Sequence, residues 1–323
     1  MSEQTKKVDI PSLYALKALC ALFVVAIHIP VYGKDYIAPI LVVAVPCFYL
    51  ISGYFLYTGN KEAEICRAMK WVKKIFLISI YINAIYFARQ WMLYENTSSW
   101  KELILNIFTG DCISPHLWFL SAMWEALIIF ILIRFLGSKW LLLTLPLLLI
   151  NLAFGRYSLI FFQGDSSFPQ YFRLNCIAVA LPYLTMGYFI SKHKHSILNI
   201  TYSPIITAVC IILVYAENTV LNHFNINSNC SYFLSTALLG TSMLVTTLNS
   251  RLHIPNWITS IGKEHSANIY YFHILIGSIV SLYISPIFGT DGLDTFIVYV
   301  FCIGISILLN LSFSFCKKRF SGR

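Results

Sequence analysis

Charge is what this chain has least of. Acidic and basic residues make up 11% of its 323 positions and hydrophobic ones 58%, where a soluble domain carries about 25% charged residues. With a mean hydropathy of +0.71, a soluble globule of this size is excluded, because its interior could not hold so much apolar surface. Paired cysteines are missing as well: nine are scattered with no CxxC spacing. Most lie within apolar runs, where cysteine serves as a small filler. No H-E-x-x-H or Cys/His spacing suggests a metal site. No G-x-S-x-G elbow surrounds a serine, which weakens a serine-nucleophile reading. No Gly/Ser linker, internal repeat or low-complexity tract divides the chain, so a single membrane domain over 1–323 with no soluble domain is expected. The first apolar run lacks a small-residue cleavage site and is too long for a signal h-region, so it reads as retained.

What is present is a series of long apolar runs. They read as helices, since a barrel would show short alternating strands. The expected fold is an all-α polytopic membrane protein with about ten spans, near 13–32, 37–57, 72–93, 117–136, 140–155, 175–191, 202–222, 231–249, 268–285 and 294–316. The fifth is short and contains Pro146. With the N-terminus inside, seventeen Lys and Arg residues fall in inner segments and five in outer ones (Lys34, Arg89, Lys101, Arg156 and Arg173). That bias places both termini in the cytoplasm, and it accounts for the net charge of +9 without nucleic acid. The longest polar stretches are an inner loop over 58–71 and outer loops over 94–116 and 156–174. Cys112 and Cys230 alone fall near the outer face, as the one pair placed for a disulfide.

Within the first run, KALCALFVVAIH holds Lys17 and His28 with ten residues between them. Eleven helical steps bring these two onto one face, about 16 Å apart along the axis. Ionisable groups in a membrane span are costly and tend to mark a working site. A neutral imidazole can take a proton from a hydroxyl and return it to a leaving thiolate; the bland reading of His28 is a structural hydrogen bond to a neighbouring helix. In VPCFYLISGYFL, residues 45–56, Ser52 and Gly53 leave room for close approach of another helix or of a ligand. In SPHLWFLSAMWEAL, residues 114–127, His116, Trp118 and Trp124 suit the outer membrane interface. Glu125 is a carboxylate inside a span and needs a partner, with Lys17, His28 and Arg134 nearest by depth. ANIYYFHILI, residues 267–276, adds His273, while His193, His195, His253 and His265 fall in inner loops and are expected to be solvated. The inner stretch TGNKEAEICRAMKWVKK reads as a short amphipathic helix lying at the membrane surface. Arg67, Lys70, Lys73 and Lys74 gather on one side of it, either as an anchor to anionic lipid or as a phosphate site.

K-x10-H in the first span, FYLISGYFL in the second, HLWFL in the fourth and IYYFHILI in the ninth together resemble acyltransferase family 3, bacterial integral-membrane O-acyltransferases, over about residues 8–316. The resemblance implies about ten spans, acyl-CoA (acetyl-CoA in the simplest case) as co-substrate on the cytoplasmic side, and a sugar hydroxyl as acceptor at the outer side. It implies His28 as the catalytic histidine and Lys17 as its partner cation, where the family more often has arginine. An acidic position shortly before that cation is Tyr14 here. It turns the balance for Arg67, Lys70, Lys73 and Lys74 towards the CoA phosphates.

The reading that follows is an O-acyltransferase, in first place an O-acetyltransferase, in the bacterial cytoplasmic (inner) membrane, acting on a cell-envelope glycan or lipid-linked sugar. Its candidate catalytic residues are His28, Lys17 and Glu125. The candidate cofactor-binding residues are Arg67, Lys70, Lys73, Lys74, Ser52 and Gly53, and the candidate substrate-binding residues are His116, Trp118 and His273. A polysaccharide or glycolipid transporter on the same helices, or a membrane assembly protein, would show no dependence on acyl-CoA.

Overall fold

The computed structural model describes residues 9–29, 33–93, 99–109, 113–162, 168–198, 200–228, 232–284 and 296–309. Among the described residues all regular structure is helical, and six helices are long and apolar enough to cross a membrane: Pro11–His28, Lys34–Leu56, Lys61–Met92, Pro115–Leu136, Gln170–Lys192 and Ser203–His223. Ser138–Phe154 and Phe296–Leu309 are shorter apolar helices, and Leu234–Asn249 and Ser266–Ile279 are also helical. An all-α membrane architecture therefore stands. Local chemistry sets several boundaries. Pro11 opens the first helix, where its missing N–H costs nothing, and Ile29 ends it in extended backbone. Gly137, at φ +133°, stops the Trp118–Leu136 helix in a conformation that favours glycine.

Three sequence expectations change. The stretch read as a separate surface helix is the start of one continuous helix, Lys61–Leu93, of 33 residues. No glycine or proline interrupts it, so nothing breaks the ladder between its charged first turns and its apolar body. The outer loop over 94–116 contains a helix, Trp100–Thr109, whose one buried residue is Asn106. The fifth run begins as a 3-10 helix, Ser138–Leu147, around Pro146, before the α-helix Leu148–Phe154. Cys112 and Cys230 lie outside the described residues.

The chain forms two compact units, Gly33–Val245 and a second made of Met1–Tyr32 with Thr246–Arg323. In the larger, Ala44–Leu56 and Leu181–Lys192 run in backbone contact. A Cβ on Gly53 would fall 2.0 Å from the Leu184 carbonyl oxygen, and one on Gly187 would fall 1.9 Å from that of Leu50. Small residues permit such approach where apolar lipid gives no drive for helices to associate. Lys61–Leu93 packs along Trp118–Leu136, and Trp100–Thr109 touches both. A buried amide pair and a serine hydroxyl join the three. Asn106 Nδ2 donates to Asn83 Oδ1 at 2.5 Å, Asn83 Nδ2 donates to the Ser79 carbonyl at 2.8 Å, and Ser121 Oγ donates to the Ile107 carbonyl at 2.8 Å.

In the smaller unit Pro11–His28 packs on a π-helical turn, Ile261–His265, and on Ser266–Ile279, which continues from it. Gly262 makes the contact: a Cβ there would stand 1.8 Å from the Tyr14 carbonyl oxygen. Gly187→Ala should lower the thermal midpoint of the detergent-purified protein by several degrees. Gly304→Ala, where nothing lies within 4 Å of the added carbon, should leave it unchanged; equal midpoints would contradict the backbone contact.

Candidate functional site

The smaller unit holds both histidines that the sequence places inside spans. Lys17 and His28 stand on one unbroken helix. His28 is its last residue and is exposed, while Lys17 is half-buried. His273, in the Ser266–Ile279 helix, is 0% exposed. The two imidazoles meet: their ring centroids lie 5.2 Å apart at an interplanar angle of 41°. Nδ1 of His273 sits 2.7 Å from the Tyr270 carbonyl oxygen and 3.2 Å from that of Ile269.

Near the start of the first helix, Lys263 Nζ lies 2.7 Å from Asp9 Oδ2 and 5.3 Å from the centroid of the Tyr14 ring. The Asp9 carboxylate holds this ammonium above its ordinary pKa. His265, expected to be solvated, is buried: its Nδ1 pairs with Ser306 Oγ at 2.8 Å, and Asn268 Nδ2 donates to the same hydroxyl at 3.1 Å. The sequence places His265 beside Lys263 and Glu264 in a polar run; the π-helical turn rotates it inward. His193, His195 and His253 are exposed as expected.

The larger unit holds the cations assigned to the donor. Lys70 and Lys73 line an open groove of about 550 Å³ with Glu62, Ile65, Cys66, Met69 and Phe135. Arg67 does not join them. It donates to the carbonyl of Phe55, at the end of the Ala44–Leu56 helix, where carbonyls lack intrahelical partners. Lys74 is exposed and is not among the groove-lining residues. The four-cation cluster thus reduces to two cations over a mainly apolar floor.

A residue the sequence reading passed over, Glu64, is 0% exposed. Its Oε2 accepts from Arg134 Nε at 2.6 Å and from the Tyr188 hydroxyl at 3.0 Å, and its Oε1 accepts from the backbone N–H of Thr58 at 3.0 Å and of Gly59 at 3.2 Å. Its signal was positional: it stands four residues before the buried Ala68, on the apolar side of a charged stretch. Arg134 is thereby committed and is not the partner of Glu125. Glu125 is half-buried, with the Cys176 thiol as its electrostatic neighbour.

The other candidates sit in packing positions. Gly53 is filled by the Leu184 backbone, so the notch receives a helix rather than a ligand. Ser52 Oγ donates to the Phe48 carbonyl of its own helix at 2.8 Å. His116 is buried, with Nδ1 2.9 Å from Ser114 Oγ and its ring edge-on to Tyr86 at 5.0 Å. Trp118 and Trp124 are also buried in the protein: Trp118 stands beside Tyr49, and Trp124 between Phe76 and Phe108. Among the described residues no His/Cys/Asp/Glu group has a metal-binding arrangement.

Residues 10–315 match the family model described as an acyltransferase domain, Acyl_transf_3, so the chain belongs to that acyltransferase family. It is 27% identical, over an alignment of 363 residues, to an amino-acid racemase of Enterococcus faecalis, covering 96% of this chain and 47% of the relative. The chain therefore spans about half the length of that curated relative. No solved structure matches it.

Removing one member of the Glu64–Arg134 pair should destabilise the protein strongly, since an uncompensated buried charge costs about 3–5 kcal/mol. Arg134→Met should lower the detergent unfolding midpoint more than Glu64→Gln/Arg134→Met, which leaves no charge behind. A single variant as stable as the wild type would show the pair to be idle.

Proposed function

We propose that this family member moves an acyl group, acetyl in the first instance, from cytoplasmic acyl-CoA to a hydroxyl of a cell-envelope glycan or lipid-linked sugar. It does so as a multi-pass protein of the bacterial cytoplasmic membrane, with ten spans and both termini in the cytoplasm. The observation that carries the reading is the family match over nearly the whole chain, with His28 exposed at the end of the first helix. His28 accepts the proton of the acceptor hydroxyl as its oxygen attacks the thioester carbonyl. The carbon–sulfur bond then breaks, the CoA thiolate leaves, and the imidazolium returns the proton to it. Lys17 places a positive charge on the same helix face, about 16 Å away along the axis. Lys70 and Lys73 offer charge-assisted bonds to the CoA phosphates, with apolar Ile65, Met69 and Phe135 beneath.

The direct test is incubation of membranes with acetyl-CoA labelled in the acetyl group. Label should pass to envelope glycan in the presence of the wild-type chain, and its absence would overturn the reading. His28→Ala should slow transfer by about 10²–10⁴-fold, the usual contribution of a general base, without loss of folded protein. Lys17→Ala should impair transfer, and Lys17→Arg should be tolerated. Near-wild-type turnover by His28→Ala would remove the general-base role.

The donor site has its own test. Lys70→Glu/Lys73→Glu should raise the acetyl-CoA concentration needed for half-maximal transfer at equal protein levels, by reversing the charge presented to the phosphates. An unchanged requirement would reduce these lysines to topological anchors.

A further inference from the structure

The surroundings of His28 have an apolar side as well as a polar one. His28 closes the first helix, and Ile29 follows it in extended backbone. These two neighbours reach successive turns of the Ser266–Ile279 helix. The His28 ring meets that of His273, with centroids 5.2 Å apart. Gly277 stands four residues after His273 and so on the same helix face. The Ile29 side chain lies against it: a Cβ on Gly277 would fall 2.3 Å from Ile29 Cδ1 and 3.6 Å from Cγ1. Gly277 is buried, and Ile29 is 8% exposed.

This notch is filled differently from those described above. Gly53, Gly187 and Gly262 meet the carbonyls of Leu184, Leu50 and Tyr14, backbone that no substitution removes. Gly277 meets the tip of a side chain, so the space beside it is set by the residue type at position 29. Acyl transfer brings the acyl chain to the same neighbourhood. The acceptor hydroxyl must lie within about 3 Å of the base, and the thioester carbonyl within about 3–3.5 Å of that hydroxyl oxygen. The acyl tail therefore starts close to the His28 ring, where the adjoining side chain is Ile29.

We propose that Ile29, seated in the Gly277 notch, is a specificity-determining residue that holds the donor to a short acyl group, acetyl rather than butyryl. The volume that the next carbons of a longer chain need is the volume Ile29 Cγ1 and Cδ1 occupy. Close-packed interiors register even one methylene. The inference deepens the acyltransferase reading and rests on it and on His28 as the base.

The experiment uses the full chain in detergent with envelope glycan as acceptor, and acetyl-CoA or butyryl-CoA labelled in the acyl group as donor. The readout is the ratio of kcat/KM for butyryl to that for acetyl. One methylene in an apolar pocket is worth about 10–200-fold, so the wild type should favour acetyl at least about tenfold. Ile29→Ala should raise the butyryl-to-acetyl ratio at least about tenfold. Ile29→Val, which loses one carbon from the side chain, should raise it less. Ile29→Ala/Gly277→Ala, which returns a methyl group to the notch, should bring the ratio back down. A purely structural role for Ile29 would lower both donors together and leave the ratio unmoved.

An unchanged ratio in Ile29→Ala, or a wild type that uses butyryl as well as acetyl, overturns the inference and leaves the acyltransferase reading intact. If Ile29→Ala does not fold, Ile29→Val decides, and an unchanged ratio there overturns it equally. A wild type that transfers neither group overturns the acyltransferase reading, and this inference falls with it.

Discussion

A carboxylate with no access to solvent holds one end of the larger unit together. Glu64 receives four donors, from the turn that follows the Ala44–Leu56 helix, from Arg134 near the end of a second helix and from Tyr188 near the end of a third. A charge removed from water is tolerable only when every lone pair finds a donor, so these segments are fixed relative to one another by one side chain. Two cations beside it act on helix ends. Arg67 satisfies the Phe55 carbonyl, and Lys61 Nζ donates to that of Phe135 at 2.8 Å. Part of the basic charge that reads from sequence as a surface patch is therefore hydrogen-bonded into the fold, and only Lys70 and Lys73 are left to line the groove.

The helical class was legible because apolar runs of about 20 residues have few other solutions in a membrane. The helix through Lys17 and His28 was legible for the same reason, and so was the singling out of His273. Legibility failed where a tertiary partner decides. A charged stretch does not reveal which of its members turns inward, so Glu64 went unseen and Arg67 was assigned to a ligand. Ser52–Gly53 was read correctly as a notch, but only the partner shows that Leu184 fills it. His265 looked solvated because its sequence neighbours are polar, and the π-helical turn that buries it leaves no mark in composition. The meeting of His28 with His273 could not be derived from spacing, since a long stretch of chain separates the two.

Polar groups recur through the apolar bulk of this protein in pairs and small nets: Asn83 with Asn106, and His265 with Ser306 and Asn268. Inside a bilayer each such group must find its partner within the protein. These nets specify which helices adjoin, whereas leucine and isoleucine faces do not discriminate among neighbours or lipid tails. The contact of His28 with His273 differs from them in one respect: one of its two rings is exposed.

The smaller unit is assembled from stretches far apart in the chain, and this gives its construction a time order. Asp9 and Lys263 are bonded across 254 residues. At about 5–20 residues per second of synthesis, the first helix would enter the bilayer on the order of 10–50 s before the segment bearing Gly262 and His273 exists. During that interval the Tyr14 carbonyl side of the helix, its lysine and its histidine have only lipid or unrelated helices for company. The pair of imidazoles is thus a late product of biogenesis. Nascent chains stalled before that point would carry His28 without its neighbour.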